Sequence, residues 1–241
     1  MRHTDINTPI GLITVLTNDH FYHDIKHTNQ YAEQIIIDTE LKDYILNSKN
    51  ILDIGAHVGY HSIAYMKMNS DVKIIAFEPQ SEIYQLLQKN ISQNEYSNRI
   101  QTFNCVVGHT IMDTTLSDYI SDGPNTTIPI EYGSENVHNF GGMNIGKGSV
   151  AVKMVTVDSL NLENVDYIKI DVEGAESLVL LGAGETIKKF KPVICFEDLK
   201  QLTMDPSELG LESIPSAYDV LKSYGYTNFK QIAYENVIAT I

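Results

Sequence analysis

From Asn50 onward, apolar and polar positions change rhythm in a regular way. "NILDIGA" (50–56) predicts a strand that closes on glycine, and "VGYHSIAYMKM" (58–68) carries helical spacing. "VKIIAFEP" (72–79) predicts a strand stopped by Pro79. "SEIYQLLQKNISQN" (81–94) predicts a helix capped by Ser81, with Ile83, Leu86, Leu87 and Ile91 on one face. "RIQTFNCVVG" (99–108) is a third strand. After an interruption the rhythm returns: "VDYIKIDVE" (165–173) as strand, "GAESLVLLGAGETIKKF" (174–190) as helix, "KPVICFED" (191–198) as strand and "SAYDVLKSYGY" (216–226) as helix. "NFKQIAYENVIATI" (228–241) predicts a closing pair of strands that turn near Glu235 and Asn236. Strand and helix in alternation define a doubly wound, Rossmann-like α/β sheet with right-handed crossovers.

The interruption, about 109–150, is rich in Asp, Ser, Thr, Asn and Gly ("SDGPNTT", "NFGGMNIGKGS") and too long for a plain connection. It is expected to be a partly strand-forming insertion over the active-site edge, followed by a strand within "SVAVKMVTVDSL" (149–160). Residues 1–49 predict a short strand or loop and then a helix in "TELKDYILNS", an amino-terminal extension that packs on the core domain of 50–241.

Composition narrows the function classes. A formal charge of −14 argues against phosphate-backbone binding, so no nucleic-acid partner is expected. No run approaches the roughly 20 apolar residues of a membrane span. The first residues lack a secretory pattern, so a cytoplasmic location is expected. Cys105 and Cys195 both sit in apolar runs and read as buried strand thiols.

In open α/β sheets, ligands gather at the carboxyl ends of the strands. The first strand ends in "DIGAHVG", with Asp53, Gly55, Ala56 and Gly59. Gly55 allows a tight turn and Gly59 a close approach at a helix start. The second glycine of a dinucleotide fingerprint is missing, which disfavours a nicotinamide-dependent reductase. An acid inside the strand suits a ligand with an ammonium group. Glu78, ending the second strand, can accept hydrogen bonds from a ribose diol, a feature shared by two cofactor classes.

"ILDIGAHVGYHSI", "IIAFEP", "VTVDSL", "DYIKIDVEGAE", "VLLGA" and "KPVICFE" resemble the successive motifs of the FkbM family of class I S-adenosylmethionine-dependent methyltransferases. The resemblance runs from about residue 31 to the end, and "IKIDVEGAE" is its most specific part. "NFGGMNIG" is similar to the family's Asn and paired-Gly segment. The resemblance implies a seven-stranded, mostly parallel sheet with an antiparallel last strand, S-adenosylmethionine as cofactor, and methyl transfer to a hydroxyl, with a sugar of a glycan or glycolipid as the expected acceptor. It assigns Asp53, Gly55, Ala56 and Gly59 to the methionine and backbone side of the cofactor and Glu78 to its ribose. Tyr31 and Glu33 resemble an element that closes the cofactor site. His57 stands where the family more often has Asn.

On this reading Asp171 ends the fourth strand beside the transferred methyl group, as the base or the group that orients the acceptor. Glu173 is divided between the site and the start of the next helix, and Glu176 is assigned to that helix start. His138, in the insertion, is the alternative base. A divalent ion on Asp171, Glu173 and Glu197 or Asp198 ranks below a metal-free site, and the run His20, His23, His27 reads as a solvated segment. A cofactor-binding scaffold without catalysis is the alternative from another class.

Overall fold

The computed structural model of the chain describes residues 3–121, 123–198, 205–233 and 235–241. It opens with an antiparallel hairpin, β1 (His3–Thr8) and β2 (Gly11–Leu16), and three short helices, α1 (His20–Ile25), α2 (Gln34–Thr39) and α3 (Lys42–Leu46). The repeat follows as β3 (Asn50–Ile54), α4 (Tyr60–Met68), β4 (Lys73–Phe77), α5 (Ser81–Gln93) and β5 (Ile100–Phe103). Three strands then leave the main sheet: β6 (Val106–Val107), β7 (Met112–Leu116) and β8 (Val150–Val155). The repeat resumes as β9 (Tyr167–Ile170), α6 (Glu176–Leu181), α7 (Gly184–Phe190), β10 (Val193–Glu197), α8 (Ala217–Ser223), β11 (Asn228–Gln231) and β12 (Asn236–Thr240).

The central sheet has seven strands in the order β11-β12-β10-β9-β3-β4-β5. Strands β5, β4, β3, β9 and β10 run parallel, and the last strand, β12, is antiparallel to both of its neighbours. Alternate side chains feed two cores. Ile51, Ile74 and Tyr167 pack with Ile63, Ala64 and Leu87 of α4 and α5, while Leu52, Ile54, Ile168 and Ile170 pack with Val179, Ile187 and Leu221 of α6, α7 and α8. Each fully buried aliphatic side chain of this kind contributes about 1.5–3 kcal/mol. The order reverses between β3 and β9, which opens a crevice at their carboxyl ends.

Three elements differ from expectation. The third strand ends at Phe103, because the Asn104 amide donates to the Glu78 and Pro79 carbonyls and turns the chain; β6 then pairs with β8. The strand expected in 149–160 therefore belongs to a small separate sheet, in the order β6-β8-β7. The single helix expected over 174–190 breaks between α6 and α7. A Cβ on Gly182 would lie 1.9 Å from the Gly108 carbonyl oxygen, so the chain runs tight against that backbone. The Asp158 carboxylate then accepts from the Glu185 and Thr186 N–H groups and starts α7 afresh.

The hairpin packs on α5. Thr14 N–H donates to the Asn90 side chain (2.7 Å), whose amide returns a bond to the Thr14 carbonyl (2.9 Å). Among the described residues, no helix is long and apolar enough to cross a membrane.

Candidate active site

A cleft of about 380 Å³ opens at the carboxyl ends of the central strands, within the range of small-molecule sites. Its floor is the turn after β3. Gly55 adopts φ +82°, and a Cβ there would lie 1.8 Å from the Asp171 carbonyl oxygen, so only glycine lets β3 and β9 end this close together. The Gly55 and Ala56 N–H groups both donate to the Phe77 carbonyl, and both residues line the cleft. Gly59 does not. Its φ is +87° and a Cβ would meet Leu87 at 2.6 Å, so this glycine serves the packing of α4 on α5.

Asp53 is likewise removed from the cleft. It is fully buried, bonded by the Ser62 hydroxyl (2.6 Å), and its register partner on β9 is Lys169. The Lys169 ammonium, itself only 5% exposed, lies 3.5 Å from Asp53 and 3.0 Å from Asp171 and donates to the Gly55 carbonyl (3.1 Å). Burial works against this cation, but Asp171 and Asp53 outweigh it and raise its pKa well above 10.5. The ammonium expected of a ligand at Asp53 is supplied by the protein. Sequence reasoning passed over Lys169, although a lysine inside the apolar run "DYIKID" was the available signal.

Glu78 forms one wall, 3% exposed. Each of its oxygens accepts one backbone bond, from His57 N–H (3.0 Å) and from Gln80 N–H (2.8 Å), which leaves acceptor capacity toward the cleft. Burial lifts its pKa to about 7, against the opposing pull of His57 and of these two donors. Gln80 ties the wall to the insertion: its amide donates to the Phe140 carbonyl (2.6 Å), and it accepts from the Tyr132 hydroxyl (2.8 Å). Asn139, Gly141, Met143 and Asn144 of the insertion line the cleft as a result.

The opposite end is acidic. After β9 the chain passes through two left-handed residues, Glu173 at φ +57° and Gly174 at φ +94°. Glu176 closes this turn by accepting from the Val172 and Gly174 N–H groups (3.2 and 3.1 Å), while Asp171 and Glu173 face the cleft. A left-handed non-glycine residue costs about 1–3 kcal/mol and persists where its surroundings impose it. Here the Ser121 hydroxyl also bonds the Glu173 carboxylate (3.3 Å). One carboxylate oxygen each from Asp171, Glu173 and Glu197 lies within 4.8 Å of the others, a set that could hold a hard divalent cation. Burial, followed by the charges of Asp171 and Glu173, pushes Glu197 up to about 10, so it carries its proton at neutral pH. Glu33 enters from the amino-terminal segment and contacts His61 at 3.1 Å. Burial opposes ionisation of Glu33, but His61 outweighs it and holds the carboxyl below its ordinary pKa. Tyr31 packs against Phe21, Tyr60 and His61 at the rim.

The profile of the methyltransferase FkbM domain matches residues 53–227, well over half of the chain. The chain belongs to the FkbM methyltransferase family. A methyltransferase of Sordaria araneosa, sdnD, is 29% identical over 159 residues, covering 56% of this chain and 60% of that protein. The crystal structure of an FkbM methyltransferase from Methylobacillus flagellatus shares the fold, with a TM-score of 0.52 and 15% identity over 80% of this chain and 44% of that one. The chain thus spans less than two thirds of the length of either relative.

The cofactor of the FkbM methyltransferases is S-adenosylmethionine. The chemistry of the cleft fits such a molecule. Phe77, Cys105, Val106 and Val107 offer an apolar slot beside Glu78, and Glu33, whose anionic form His61 favours, offers a partner for an ammonium. Not every residue expected to act in this FkbM site reaches it. His138 is fully buried and is not part of the cleft lining; its backbone bonds Asn18 and His20, which stitches the insertion to the amino-terminal segment. His20 and His23 pair with Asp24 and Lys26.

Glu78 and Glu176, each at about 7, and Glu197, at about 10, all lie above the ordinary 4.5. A carboxyl raised on folding stabilises the fold below its unfolded pKa and loses that contribution as pH rises through the folded value. Thermal unfolding is therefore expected to move to lower temperature as pH is raised from about 5 to 9. Below about 4 the lowered Glu33 and Asp5 act in the opposite sense. A melting temperature that rises steadily from pH 5 to 9 would contradict these assignments.

Proposed function

We propose that this protein is an S-adenosylmethionine-dependent O-methyltransferase acting on a hydroxyl of a sugar, in a glycan or glycolipid. The observation that carries the reading is the convergence of Asp171 and Glu173 on a cleft whose floor is Gly55 and Ala56 and whose wall is Glu78. When bound, the cofactor supplies an electrophilic methyl group on a sulfonium. Glu78 accepts the ribose hydroxyls, and Gly55 and Ala56 let the backbone approach. Tyr31 and Glu33 cover the opening and exclude water.

Asp171, anchored through one oxygen by Lys169, orients the acceptor hydroxyl and accepts its proton. Glu173 receives a neighbouring hydroxyl across the cleft. Carboxylates, protonated Glu197 and the amides of Asn139 and Asn144 together offer donors and acceptors in alternation, which suits a polyol. Calorimetry against S-adenosylhomocysteine and NAD, followed by a methyl-transfer screen over a panel of sugars, tests this. Preference for NAD overturns the methyltransferase reading, and cofactor binding with no transfer to any hydroxyl favours a scaffold.

A further inference from the structure

His57 is a non-glycine residue in the left-handed region, φ +49°, in the middle of the turn after β3. In that conformation its N–H donates to Glu78 Oε2 at 3.0 Å. Its ring reaches away from the glutamate to Asp19, with Nε2 3.0 Å from Oδ2. Asp19 is fully buried, and its other oxygen accepts from Phe21 N–H (3.1 Å), so the carboxylate is fixed at the start of α1. The Phe21 ring packs edge-on against the His57 ring at 5.6 Å. Beside this contact, His20 N–H donates to the His138 carbonyl (2.7 Å) and His138 N–H to the Asn18 carbonyl (2.9 Å). The amino-terminal cover and the turn after β3 therefore meet at this imidazole, and the insertion is bonded to the residues on either side of Asp19.

We propose that His57 and Asp19 are a positioning pair that holds the Glu78 carboxylate in the orientation that selects the ribose diol. This rests on the reading of the cleft as a cofactor site. A left-handed histidine costs about 1–3 kcal/mol and reverts toward commoner conformations when its side chain is released. Release of the ring swings the N–H off Glu78, and a buried carboxylate that loses one of two donors turns toward whatever donor remains. The pair thus acts on the diol through Glu78 and touches no reacting atom.

The test compares S-adenosylhomocysteine with its 2′,3′-dideoxy analogue by calorimetry, using the full chain. Wild-type protein is expected to favour the diol by about tenfold or more, the value of hydrogen bonds to a charged acceptor. In His57→Ala, which keeps the cost of a left-handed side chain but removes the tether, the ratio is expected to fall toward one. Asp19→Asn keeps a good cap on α1 and is expected to narrow the ratio too, so the proposal does not depend on one variant folding. A purely structural role would weaken both ligands equally and leave the ratio unchanged, and that result in both variants overturns the pair alone. Wild-type protein that binds no S-adenosylhomocysteine overturns the cofactor reading beneath it. Binding of both ligands with equal affinity overturns the ribose role of Glu78 and the pair with it.

Discussion

Lys169→Met is expected to lower the unfolding free energy by about 3–5 kcal/mol, the cost of leaving a buried charge without its partner. The thioether fills much the same volume as the lysine stem, so the loss is mainly electrostatic. Asp53 sits fully buried with the Ser62 hydroxyl as its remaining polar contact, and Asp171 loses the ammonium 3.0 Å away. The Gly55 carbonyl also loses a donor at the point where β3 and β9 come together. Adding Asp53→Asn to Lys169→Met removes the stranded charge and is expected to recover more than half of the loss. Urea unfolding of the single and double variants measures this. A double variant no more stable than Lys169→Met would mean that packing, and not charge balance, is what Lys169 contributes.

Asp171→Asn is expected to reduce turnover of an identified hydroxyl acceptor by about a hundred- to ten-thousand-fold, the usual effect of removing a positioned base. Asn keeps the shape and one acceptor oxygen but cannot take a proton. Affinity for S-adenosylhomocysteine should change little, because the ribose wall and the turn after β3 stand on other residues. Separate measurement of turnover and binding decides the matter: full turnover in Asp171→Asn moves the base to Glu173. Equal losses in turnover and cofactor affinity would instead make Asp171 a binding residue, acting with Lys169 on the Gly55 carbonyl.

Much of the architecture was legible along the chain because its signals are local. Alternating strand and helix periods, the glycine turn of "DIGAHVG" and the "FEP" and "IDVEGAE" strand ends each lie within a dozen residues. They located the cleft and brought Gly55, Ala56, Glu78, Asp171 and Glu173 to it. The places where the packing departs from the local reading share one cause. Asp53, Gly59 and the break at Gly182 depend on a partner far along the chain: Lys169, Leu87 and Gly108. Residue type alone does not say whether a carboxylate meets a ligand or a lysine from the neighbouring strand.

The insertion illustrates the same limit. Its composition announced a functional excursion, yet whether His138 or Asn139 faced the cleft was set by backbone bonds to Asn18 and His20. The sequence by itself determined the α/β order, the turn chemistry and the acids at the strand ends, because backbone propensity and hydrophobic period act over a few residues. Tertiary structure alone decided which of those acids are already neutralised. Lys169 takes Asp53 and one oxygen of Asp171, because ion pairing in a buried site depends on distances that only the packed sheet defines.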